Sequence, residues 1–196
     1  MFRFKFILPL VVMMFMMSWL NQAHAEVLKP FILGKTPTSF TNPLMDPGKM
    51  DDMVEYTKAQ LTEQGFTIVG SYSPYANATV ICATNPELID AATTVNNGGF
   101  GVAQRVAVTE VNGQLQISYV NPAYIGTAYG LGKLEGVSSK LAEALGNEKS
   151  FGADGIKEEK LVPGEYHYKI MMPYFDDFHK LNHFSDYETA VKTVEA

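Results

Sequence analysis

Four groups of side chains in this 196-residue sequence have types and spacings that can do chemistry. His179 and His183 stand four residues apart, so on a helix both imidazoles project from one face and can approach zinc, copper or haem iron together. His167 and Met172 precede them and can complete a shell. A methionine ligand favours copper(I) or haem iron, whereas histidines and carboxylates alone suit zinc. The zinc-protease pattern HExxH is absent, because residues 180 to 182 read Lys-Leu-Asn, and ordinary surface histidines are the competing explanation.

Arg105 is the only arginine after residue 25, and its planar fork of donors can clamp a carboxylate or phosphate. The alternative is a surface arginine paired with a nearby acid. Asn121, Tyr124 and Tyr129 follow as an accompanying group: Asn121 can cap a turn, and the tyrosines can supply aromatic walls and hydroxyls to a pocket or pack in the core. Five residues separate the tyrosines, so they converge only if the chain bends at Gly126. Cys82 sits within the apolar run Val80 to Ala83, where a buried small hydrophobe and an oxidisable thiol are the two readings. Ser118, Ser138 and Ser139 lie in no GxSxG turn, so a hydrolase would need a site that sequence spacing does not reveal.

These side chains need elements to position them. Met50, Val54, Thr57 and Leu61 recur at helical spacing and Gly65 offers a stop, predicting a helix over 50–64. Strands are expected over 66–72 and 78–83, then a short helix capped by Asn85-Pro86. Phe100, Val102, Val106 and Val108 share one strand phase, as do Leu115, Ile117 and Tyr119, with Asn112-Gly113 between them. That dipeptide between alternating apolar runs is the strongest short hairpin signal. It opposes Val108 to Ile117, Val106 to Tyr119 and Gln104 to Asn121 on an apolar face, and Arg105 to Val120 on the other. Asn121-Pro122 begins a short helix through Tyr124; Val137, Leu141 and Leu145 mark another, closed by Gly146. A strand over 166–172, a helix over 176–184 and a last helix started by Ser185 and Glu188 complete the reading. This mixture predicts an α+β fold, a compact two-layer domain with a mainly antiparallel sheet and helices packed on one face.

Arg3 and Lys5, the apolar run Phe6 to Leu20 and Ala23-His24-Ala25 have the order of a secretion signal cleaved before Glu26. That divides the chain into a signal at 1–25, a Pro-containing lead-in at 26–48 with one short strand expected near Phe31 to Leu33, and a single domain at 49–196. The apolar run is shorter than the roughly 20 residues a span requires, so no permanent membrane span is expected. The destination is the periplasm or the exterior. Apolar residues form 46% of the sequence and charged residues 18%, which excludes a disordered polyelectrolyte. One cysteine excludes an internal disulfide framework, and a formal charge of −6 without any basic run argues against nucleic acid.

The runs Val80-Ile81-Cys82-Ala83-Thr84-Asn85-Pro86-Glu87-Leu88, Gly99 to Val108, Ile117 to Tyr124, Tyr166-His167-Tyr168 and Met172 to Asp177 resemble the secreted bacterial branch of the family known as domain of unknown function 302. The resemblance covers about residues 45 to 194. It implies a small two-layer α+β structure with an antiparallel sheet, and it transfers no catalytic residue. The expectation is thus an exported soluble domain that binds a small anionic molecule or an extracytoplasmic protein. Copper, zinc or haem binding by the C-terminal cluster is one alternative, and a hydrolase with an unrecognised site the other. Protein recovered from its own host should have an intact mass lacking residues 1–25; an uncleaved chain in the membrane fraction would contradict the signal.

Overall fold

The computed structural model describes residues 26–195, so the signal expected at 1–25 lies outside the described residues. A six-stranded antiparallel sheet dominates, in the order β3-β4-β5-β6-β2-β7. Its strands are β2 (Phe31–Leu33), β3 (Thr67–Tyr75), β4 (Ala78–Thr84), β5 (Gln104–Val111), β6 (Gln114–Val120) and β7 (Lys149–Phe151). β1 (Val27–Leu28) and β8 (Ile156–Lys157) form a separate two-stranded ribbon. The helices are α1 (Met50–Glu63), α2 (Pro86–Thr93), α3 (Pro122–Ala128), α4 (Glu135–Leu145) and α5 (Tyr187–Glu195). The α+β expectation, with an antiparallel sheet and helices packed on it, is therefore met.

The central hairpin forms as its sequence dictates. Asn112 and Gly113 both take positive φ, 53° and 77°, the backbone that a two-residue connection requires. Val108 pairs with Ile117 and Val106 with Tyr119, and all four side chains are buried. Against them pack Met53, Val54 and Leu61 of α1, Leu88 of α2, and Val137, Leu141 and Leu145 of α4. α1 ends in a Schellman arrangement: Gly65 takes φ 80°, its N–H donates to the Thr62 carbonyl, and the Phe66 N–H donates to that of Leu61. The Tyr119 hydroxyl reaches the Gly146 carbonyl at 2.9 Å, tying the sheet to the end of α4, and burial pushes its pKa up to about 12.

Five expectations need correction. The stretch 26–48 is no mere lead-in. β2, foreseen as a short strand at 31–33, lies inside the sheet between β6 and β7, and Asn121 N–H donates to the Pro30 carbonyl. Phe100 and Val102 precede the strand rather than extend it, because Gly98, Gly99 and Gly101 permit a 3-10 turn at 98–100 and β5 begins only at Gln104. Residues 166–172 form turns, not a strand. Nor is there a helix over 176–184: Phe178 and Leu181 have nothing to bury against, and a nine-residue helix without packing is marginal. Local side-chain bonds compete as well, Asp177 accepting from the Tyr174 N–H and Asn182 from that of His183. The last helix begins at Tyr187, and its start is satisfied by Asp186, which takes the Thr189 N–H, rather than by Ser185.

Val106→Asp should place a carboxylate in the centre of this core and cost about 4 kcal/mol or more. Cooperative thermal melting followed by far-UV circular dichroism measures it, and an unchanged midpoint would refute the strand phase.

Candidate functional site

One face of the sheet is covered by α1, α2 and α4; among the described residues the other carries no helical layer. Period-two alternation sends Arg105, Ala107, Ser118 and Val120 to that second face, opposite the buried Gln104, Val106, Ile117 and Tyr119. Cys82 lies across β4 from Arg105 and is half-buried, and beyond it Gly70 faces open space. Phe31 on one side and Tyr72 on the other remain exposed. Together they bound a concavity of about 330 Å³ lined by Phe31, Tyr72, Val80, Arg105, Ala107, Ser118, Tyr119 and Val120.

Arg105 is the sole charged side chain of that lining. Among the described residues it makes neither a salt bridge nor a side-chain hydrogen bond; the ion pairs of the protein join Lys58, Lys133 and Lys140 to glutamates elsewhere. A larger concavity of about 520 Å³ lies at the hairpin's turn end between residues 36–48 and Glu110 to Leu115, but it presents no cationic group.

The other members of the arginine group separate. Tyr129 lies outside that lining and packs against the small core of Leu28, Ala128 and Leu161; burial raises its hydroxyl pKa, the Arg105 guanidinium lowers it and the Asp176 carboxylate raises it. It stacks on Phe100 with centroids 5.3 Å apart and packs against Phe175 at 5.2 Å. Phe100, expected in the core phase, is instead the outer ring of this stack. Tyr124 is buried in that same small core, where burial, then Tyr166, pushes its pKa up to about 12. Gly126 lies inside α3 rather than at a bend, and what it supplies is close packing: a Cβ there would strike the Gly132 carbonyl and the Leu134 side chain.

Asn121 is spent on structure. Its Oδ1 accepts from the Ala123 N–H at 3.1 Å and caps α3, while its Nδ2 donates to the Lys29 carbonyl at 2.8 Å. It thereby links the N-terminal segment to the end of β6. Two buried polar side chains keep unpartnered atoms among the described residues: Gln104 with both its amide oxygen and nitrogen, and Asn85 with Nδ2, although Asn85 Oδ1 caps α2 through the Leu88 N–H.

The histidine cluster does not assemble as a helical face. His179 and His183 lie in non-helical chain, and His167 places Nδ1 2.6 Å from the Lys169 carbonyl and its ring edge-on to Tyr174. Met172 is exposed on the same loop. Among the described residues no group of three or more His, Cys, Asp or Glu side chains is placed to hold a metal. Ser118, the one serine of the open face concavity, makes no hydrogen bond to a histidine. Sequence spacing missed the Phe100–Tyr129–Phe175 stack, which joins three segments; the only signal was three aromatic residues beside glycine or proline turns.

Asn121→Ala should remove a cap and an interstrand tie at a cost of about 1–2 kcal/mol. Denaturant unfolding should record that loss, and any anion bound on the open face should be retained by the variant.

No protein-family model and no curated protein matches the chain.

Proposed function

We propose that this chain is an exported binding domain whose open sheet face takes a small anion with an apolar body, held by Arg105. The observation that carries the reading is the guanidinium itself, the one charge in a concavity whose other lining is aromatic and aliphatic apart from Ser118, and without an acid partner among the described residues. Such a group binds a carboxylate through two parallel N–H donors, and apolar walls that displace water strengthen that attraction. The Ser118 hydroxyl adds a donor two strand positions from the expected opposite of Arg105. The aliphatic part of the ligand would lie on Val80, Ala107 and Val120.

The chemistry also argues against pairing this face with itself. A face-to-face dimer would set two guanidiniums in one apolar interface with no acid between them. A ligand anion satisfies Arg105 where a second copy would not.

Export to the periplasm or exterior rests on the charge, apolar run and small-residue order of residues 1–25. Membership of the secreted branch of domain of unknown function 302 rests on the five sequence runs quoted above and on their agreement with an α+β fold; it brings no reaction with it.

Native mass spectrometry of protein from its own host should reveal a retained anion, and calorimetric titration with octanoate should show stoichiometric binding where inorganic phosphate shows less. Arg105→Ala should weaken octanoate binding by about tenfold or more, equivalent to about 1.4 kcal/mol, with little change in melting because Arg105 is exposed. Equal binding by the variant would remove Arg105 from the site.

A further inference from the structure

Residues 166–175 form a loop closed on itself. The Phe175 N–H donates to the Tyr166 carbonyl at 2.8 Å, and a tighter turn inside it is held by the Met172 N–H on the Lys169 carbonyl at 3.0 Å. The base is fastened to the domain through ring contacts, Tyr166 with Phe175 and Phe175 with Tyr129. Its tip does the reverse. Ile170 is 87% exposed and Met171 97% exposed, and Met171 takes a left-handed φ of 72°, which non-glycine residues adopt only at a cost.

The surroundings of this tip have a definite chemistry. Tyr168 and Tyr174 flank it, both exposed, and the Lys169 ammonium lies 5.8 Å from the Tyr168 ring. Acids flank the loop at Glu165, Asp176 and Asp177, and the last two have backbone work to do: Asp176 accepts from the Gly164 N–H and Asp177 from the Tyr174 N–H. On a chain of net charge −6, the apolar tip therefore carries a cation and no acid.

We infer that this loop is an interfacial anchor for a phospholipid surface. Ile170 and Met171 enter the leaflet, and Tyr168, Tyr174 and Lys169 lie among the headgroups, where amphipathic rings and long basic side chains are favoured. A bilayer suits the geometry better than a protein partner. Two protruding side chains are far from the roughly 800 Å² per partner of a stable protein interface, whereas lipid needs no complementary pocket. No helix among the described residues is long and apolar enough to cross a membrane, so the contact is peripheral and reversible. This inference is independent of the anion at Arg105, which no anchoring residue touches in the cavity lining.

Co-sedimentation with phosphatidylcholine vesicles containing phosphatidylglycerol tests it. The wild-type chain should partition onto vesicles, and the double variant Ile170→Ser, Met171→Ser should lose about tenfold or more of that partitioning. Its melting should be unchanged, since both side chains are solvent-exposed. Leu181→Ser, which removes an equally exposed apolar side chain outside the loop, should leave partitioning intact. Absence of wild-type binding, equal binding by the double variant, or an equal loss in Leu181→Ser would overturn the inference. So would concentration-dependent dimerisation that the double variant abolishes, which would assign the tip to a second copy.

Discussion

The assignment of every side chain to one face or the other depends on the Asn112-Gly113 turn. With both residues in positive φ, the two strands they join can meet only with Val106 opposite Tyr119 and Val108 opposite Ile117. A slip of one residue would turn Arg105 inward and Val106 outward, exchanging the two faces completely. The core between helices and sheet and the cation on the sheet's opposite face are thus products of one backbone geometry. Neither can be altered in register without the other.

That dependence explains what the sequence made readable. Alternation within β5 and β6, the dipeptide between them, the stop at Gly65 and the caps at Asn85 and Asn121 are local signals, each decided within a few residues. Arg105 could be placed on the open face for the same reason. The absence of a pairing acid was not legible, since it depends on where 21 acidic side chains lie in space. The Tyr129 stack was equally hidden, joining segments that follow β4, β6 and β8.

The C-terminal misreadings share a physical cause. Period and spacing at 166–184 imitate a strand and then a helix, but neither element would have had a surface to cover. Without packing, local bonds from Asp177 and Asn182 and the turn closed by the Met172 N–H on the Lys169 carbonyl prevail, and histidines that would share a helical face do not. Secondary structure of this length is decided by tertiary burial rather than by intrinsic preference. Cys82 shows a milder form of the same point: an apolar run placed it in a strand, and the missing second layer left it half-buried.

The place of β2 has a consequence for the order of assembly. The sheet neighbour of β7 is β2, and β2 itself docks on β6, nearly 90 residues downstream of it. Residues near the start of the described chain must therefore wait for the middle of the chain before they can pair, and the strand at 149–151 must wait for them. Loop-closure entropy makes such a step late and slow compared with the closing of the β5–β6 hairpin. A chain built this way stays open at one edge until most of its length is present, so completion of the sheet is a property of the whole polypeptide rather than of any fragment growing from its N-terminus.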